Sequence, residues 1–139
     1  DVTLEKYRRI EYALVDPSCS GSGMPLSLEK HVERPRDSTS TERLEALANF
    51  QAMAVKKAMS FPAVRRVVYS TCSVHERENE MVVAEILEAM PEWRLVPRPL
   101  PSWPRRGLAK YPFADDVIRA DPEADRCTGF FVALFERSR

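Results

Sequence analysis

The chain has 139 residues, 44% of them hydrophobic and 9% aromatic, which suits one globular domain around one core. Its 21 basic residues balance 21 acidic ones, so overall charge gives no argument for nucleic-acid binding; only local clustering could. Three cysteines, Cys19, Cys72 and Cys127, are too few and too scattered for a disulfide framework or a C-x-x-C zinc knuckle, which points to a reduced, intracellular protein that holds no metal. No apolar run approaches the length of about 18 residues that a membrane span needs. The opening Asp1-Val2-Thr3, followed almost at once by a strand-like run, reads as a piece cut from a longer chain.

Tyr12-Ala13-Leu14-Val15, stopped by Asp16-Pro17, has the pattern of a short buried strand. A small-residue turn follows, Ser18-Cys19-Ser20-Gly21-Ser22-Gly23, and then a polar loop through Ser40 that contains Pro25 and Pro35. Thr39 with Glu42 forms a capping-box pattern ahead of a helix whose inner face is Leu44, Leu47, Ala48, Ala54, Val55 and Ala58. Pro62 closes it, and Arg66-Val67-Val68-Tyr69-Ser70 reads as a second strand. Ser73 with Glu76 predicts a second helix, with Val82, Ile86, Ala89 and Met90 facing inward and Pro91 as its limit. Trp93 to Val96 suggests a third strand, residues 97–112 are Pro-rich and irregular, and Gly129 to Phe135 is apolar enough for a strand buried on both faces. Four strands with two principal helices make an α/β fold with a mostly parallel sheet. Such sheets gather their chemistry at the carboxyl ends of the strands.

Two of those ends carry cysteine. Cys72 follows the second predicted strand and directly precedes the Ser73 cap, where a helix N-terminus would favour the thiolate. An inert buried cysteine satisfies the same position. Cys19 has the equivalent place after the first strand. Its turn lacks the G-x-x-x-x-G-K spacing of a phosphate loop and the G-x-S-x-G of a serine-hydrolase elbow. Taken together, the two thiols are placed to reach one cleft, and their separation in sequence fits a redox couple poorly.

These segments carry a resemblance. Asp16-Pro17-Ser18-Cys19-Ser20-Gly21-Ser22-Gly23 resembles the first cysteine motif of the Sun-domain RNA (cytosine-5)-methyltransferases. Tyr69-Ser70-Thr71-Cys72-Ser73 with Glu78-Asn79-Glu80 resembles the second; the helix bearing Gln51 lies between them, and Gly129-Phe130-Phe131 sits near the end. Many members have Asp-Ala-Pro-Cys where this chain has Asp16-Pro17-Ser18-Cys19, a form similar to the nucleolar subgroup that modifies large-subunit rRNA. The resemblance implies the C-terminal half of a Rossmann-like, S-adenosylmethionine-dependent class I methyltransferase, its last strand antiparallel. It further implies that Cys72 attacks C6 of cytosine, that Cys19 releases the product, and that Asp16 lines the cofactor site. The implied partner is RNA with an unpaired or flipped cytosine, and the location is nucleolar if the protein is eukaryotic. A non-catalytic RNA-binding or ribosome-assembly module with the same fold, and a thiol-redox protein, are the alternatives.

Residues 94–113 carry five basic residues and no acidic one, with Trp103, Tyr111 and Phe113 interleaved. Arg98, Trp103, Arg105, Arg106 and Lys110 are thus candidates for RNA contact, against a plain Pro-rich connection. Cys127 is expected to be structural, His31 and His75 to be surface residues, and the six glutamates between Glu76 and Glu92 to form a solvated helix face. Of the four glycines, Gly21, Gly23, Gly107 and Gly129, none forms the Gly-rich cofactor loop such a fold needs; residues 1–139 therefore read as a partial catalytic domain with that loop upstream.

Overall fold

A computed structural model describes residues 4–24 and 39–138; His31, Pro25 and Pro35 lie outside the described residues. Among the described residues, five strands and two α-helices are ordered β1 (Tyr12–Val15), α1 (Thr41–Met59), β2 (Arg66–Thr71), α2 (Glu80–Ala89), β3 (Trp93–Leu95), β4 (Val117–Ala120) and β5 (Phe130–Arg137). β1 pairs parallel with β2, with Val15 opposite Tyr69. β5 enters beside β2 and runs antiparallel to it. The other edge of β5 is shared end to end by two short strands, β4 against residues 130–133 and β3 against residues 135–137, both antiparallel. Strands β1 to β4 therefore all point one way and β5 alone opposes them. The expected antiparallel last strand is present.

The sheet has one strand more than the sequence pattern suggests. Val117-Ile118-Arg119-Ala120 is bracketed by Asp115-Asp116 and Asp121-Pro122, and its four residues are too short a run to stand out before β5 supplies the ladder. Nor is β5 buried on both faces. Phe131, Ala133 and Phe135 are sealed, whereas Phe130, Val132 and Leu134 are only half-buried. Both helices contribute to the core on the face of Val67, Tyr69, Phe131 and Phe135, along with Val55, Met59, Val83 and Ile86. Each fully buried aromatic or branched side chain there contributes about 1.5–3 kcal/mol. On edge strand β1, Tyr12 and Leu14 are exposed while Ala13 and Val15 pack on the core.

Helix starts differ from the expected caps. The Ser40 hydroxyl, not Thr39, accepts the backbone N–H of Arg43 at 3.3 Å and opens α1. Ser73 does not cap α2. A 3-10 turn at Glu76–Glu78 intervenes, and α2 begins only at Glu80, with Val83 buried and Ala89 exposed. Cys72 accordingly has no α-helix directly after it, and the expected help to its thiolate from such a helix has no structural basis. Asn79, at the cap position, spends its side chain elsewhere: it accepts from Thr71 Oγ1 at 2.6 Å and donates to the Ser73 carbonyl at 2.9 Å.

Two of the six glutamates leave the expected solvated face, while Glu88 and Glu92 are exposed as expected. Glu78 and Glu80 are wholly buried. Glu80 holds Arg119 of β4 in a two-pronged ion pair at 2.5 and 2.6 Å and accepts the Leu108 N–H at 3.1 Å. Arg119 also donates to the Val74 carbonyl at 3.1 Å. This pair clamps the start of α2 to β4. Replacing Arg119 with Ala strands a buried carboxylate, and urea unfolding should register a loss of about 3–5 kcal/mol.

Candidate active site

Because β1 and β2 are parallel and in register, the segments leaving their carboxyl ends start side by side. Asp16, immediately after β1, is exposed, and its Oδ1 accepts the Ser70 hydroxyl at 3.0 Å. Beyond it the turn of residues 18–24 folds over the segment after β2. The Gly23 N–H donates to the Cys72 carbonyl at 2.9 Å, and the Gly129 N–H to the Gly23 carbonyl at 2.8 Å. Gly23 and Gly129 touch so closely that a Cβ on Gly23 would lie 2.5 Å from the Gly129 oxygen. Only glycine permits that approach.

The result is a pair of thiols in contact. Cys19 Sγ and Cys72 Sγ are 3.2 Å apart, both unoxidised and both half-buried. Burial, followed by the hydrogen bond to Cys72, pushes the Cys19 thiol up to about 11. Cys19 therefore keeps its proton at neutral pH.

Glu78 bonds the residues that follow the two cysteines. Its Oε1 accepts the Ser20 N–H at 2.9 Å and the Gln51 amide at 3.0 Å, while Oε2 accepts the Ser20 hydroxyl at 2.6 Å and the Ser73 hydroxyl at 2.5 Å. Gln51 also donates to the Ser18 carbonyl at 3.0 Å, and the Tyr69 hydroxyl donates to the Glu78 carbonyl at 2.5 Å, with Gln51 Oε1 3.2 Å from the same hydroxyl oxygen. Burial by itself would raise the Glu78 carboxyl. The hydrogen bonds from Ser20, Ser73 and Gln51 outweigh it and hold the group below its ordinary range. Sequence reasoning missed this role for Glu78, although the Glu78-Asn79-Glu80 run was the signal.

A cleft of about 610 Å³ opens beside these loops, walled by Ser22, Gly23, Val74, His75 and Thr128, and neither paired thiol lines it. His75 is half-buried rather than a surface residue. Cys127 is exposed, with its thiol donating to the Thr128 carbonyl at 3.3 Å, so it does not help build the core.

The basic stretch is largely occupied by bonds of its own. Arg105 pairs with Asp125 at 2.6 Å, and Arg106 donates to the carbonyls of Pro99, Leu100 and Trp103. The Trp103 indole donates to the Arg119 carbonyl at 2.7 Å. Lys110 pairs with Glu76 at 2.7 Å, yet its side chain stays 63% exposed; Arg98 is 56% exposed, with Asp115 at 4.0 Å. Among the described residues no cluster could hold a metal ion, and no helix is long and apolar enough to cross a membrane.

The raised Cys19 thiol has a direct consequence. At pH 8, iodoacetamide should label Cys19 on the order of a hundredfold more slowly than a free cysteine, whose pKa is about 8.5. The lag should vanish as pH approaches 11, as read by peptide mass mapping.

The family model described as 16S rRNA methyltransferase RsmB/F matches residues 2–136. The 28S rRNA (cytosine-C(5))-methyltransferase of Mus musculus is 48% identical over 136 residues, which cover 96% of this chain and 28% of that protein. The chain thus spans less than a third of that relative's length. Among solved structures, PH0851 superposes with a TM-score of 0.72 at 27% identity, over 91% of this chain and 26% of that one. NSun6 from Pyrococcus horikoshii with SFG gives 0.68 at 22% identity, over 91% of this chain and 29% of that one, a likeness of fold.

Proposed function

The chain belongs to the 16S rRNA methyltransferase RsmB/F family, and from that premise we propose that it carries the two-thiol part of an RNA (cytosine-5)-methyltransferase acting on large-subunit rRNA. The observation that carries the reading is the 3.2 Å contact between Cys19 and Cys72 at the carboxyl ends of adjacent parallel strands. Large-subunit rRNA is favoured by the name of the mouse relative. Such a substrate places the protein with ribosome assembly inside the cell, in the nucleolus if it is eukaryotic.

S-adenosylmethionine, when bound, supplies an electrophilic methyl group. Asp16 is the residue of this chain that fits it: an exposed carboxylate at a strand's carboxyl end, able to accept a hydrogen bond from an amino group. It forms only part of a site, because Gly21 and Gly23 are committed to the cysteine turn and Gly107 and Gly129 lie elsewhere. The cofactor's Gly-rich loop would come from outside residues 1–139.

Cys72, as thiolate, adds to C6 of the target cytosine. The new S–C bond pushes electrons onto C5, which then takes the methyl. Cys19 holds a proton through that attack. Once Cys72 is bonded to carbon, Cys19 passes its own proton to solvent and, as thiolate, removes the C5 proton. Elimination then restores the ring and frees Cys72.

RNA containing 5-azacytosine tests the roles on the enzyme at full length. Cys72→Ala should abolish both methylation and the covalent adduct. On RNA with ordinary cytosine, where the parent enzyme releases its product, Cys19→Ala should accumulate the adduct as a gel-shifted species; 5-azacytosine has no C5 proton and traps the parent as well. A shifted band with Cys72→Ala, or none with Cys19→Ala, overturns the assignment.

For the RNA, Arg98 and Lys110 have the free surface to meet phosphates, and Trp103 offers a partly exposed ring. Removing both charges should flatten the dependence of log affinity on log salt by about 1.4, at about 0.7 per phosphate on single strands. Arg105→Ala and Arg106→Ala, which break internal bonds, should lower the melting temperature as well; stability unchanged in both would return them to the RNA-contact set.

A further inference from the structure

We propose that Glu78 is a positioning residue that sets the spacing and alignment of the two thiols. One wholly buried carboxylate bonds the residue directly after each cysteine: Ser20, through both its N–H and its hydroxyl, and Ser73, through its hydroxyl. Gln51, bonded to the same carboxylate, grips Ser18, the residue directly before Cys19. The two cysteine segments come from different strands and are 53 residues apart in sequence. Glu78 is the point where they are joined.

The choice of residue follows from the donors. Four hydrogen bonds converge on two oxygens, and an ionised carboxylate accepts all of them with no donor of its own to misplace. Burying that charge is tolerable only if it is fully bonded. Among the described residues no ion pair involves Glu78, so neutral donors from the two cysteine segments and α1 supply the whole compensation. Neither segment can shift without leaving part of the carboxylate unbonded. That couples their positions. Ser22 adds a lighter tie, accepting the Val74 N–H at 3.0 Å.

A gapped pair would attack and release poorly, so in the methyltransferase reading, on which this part rests, Glu78 governs both steps without touching substrate. The spacing itself can be measured without that reading. In the 139-residue chain carrying Cys127→Ser, diamide should close Cys19 and Cys72 into a disulfide; the thiols lose two protons and two electrons, which diamide takes up in becoming the hydrazine. Glu78→Ala should slow closure by roughly tenfold or more, since a misplacement of about 1 Å can cost an intramolecular reaction up to about a hundredfold. Glu78→Gln, which keeps one acceptor oxygen, should fall between. Circular dichroism checks that each variant folds; should the Ala variant not fold, Glu78→Gln and Ser73→Ala decide, both expected to close more slowly than the parent. An unchanged closure rate in folded variants overturns the proposal. At full length, Glu78→Gln should lower kcat with little change in KM for RNA; an effect confined to KM argues equally against it. Slowed closure in a protein whose parent forms no adduct with 5-azacytosine RNA would sink the methyltransferase reading and leave the positioning role standing.

Discussion

The parallel pairing of β1 with β2 is the constraint from which the site descends. With Val15 opposite Tyr69, the chain leaves both strands at one level, and Asp16 meets Ser70 there through a hydrogen bond. Had the two strands been antiparallel, the Cys19 and Cys72 segments would have left opposite ends of the sheet. A parallel pair needs a long crossover, and α1 provides it while adding Gln51 to the floor of the site. The same helix that makes the topology possible therefore carries one of the ligands of Glu78.

Strand β5 completes the frame from the other side. It lies against β2 along six registered residues, and its start brings Gly129 onto Gly23, so the turn bearing Cys19 is pinned between two strands. β4, on the far edge of β5, sends Arg119 back to Glu80 and to the Val74 carbonyl. The segment before β4 adds the Tyr111 hydroxyl and Lys110 amine to Glu76. What reads as a basic, aromatic stretch in the sequence serves in good part to brace the segment that follows Cys72. Its charges are answered by Asp125, Glu76 and Asp115, acidic groups that lie outside the stretch and come to it only through the fold.

Two buried carboxylates in three residues use different means of compensation. Glu80 is met by a guanidinium, an exchange that fixes α2 to β4 with strong geometric preference. Glu78 is met by hydroxyls, an amide and a backbone N–H, all drawn from the cysteine segments and α1. The first arrangement ties α2 to β4, and the second ties the two cysteine segments to each other and to α1. Neighbouring sequence positions thus belong to separate networks, Glu78 closing the 3-10 turn and Glu80 opening α2.

The sequence by itself determined the strands β1, β2, β3 and β5 within one or two residues at most ends, both helices, and the two cysteine turns. Those are local matters: apolar runs, proline stops and small-residue turns act over a few neighbours. It also carried the paired motifs from which the family resemblance was drawn. What it could not determine was how long-range partners would spend each polar group. Ser73 has the pattern of a cap, yet its hydroxyl goes to Glu78; Asn79 takes the cap position and turns its side chain toward Thr71 and Ser73. A charge-rich run from Glu76 to Glu92 looks solvated until Arg119, 39 residues beyond Glu80, and Ser20, 58 residues before Glu78, arrive in space. Strand β4 likewise exists because β5 offers it an edge. Burial and hydrogen-bond satisfaction are properties of the assembled chain, and only the tertiary structure decided them.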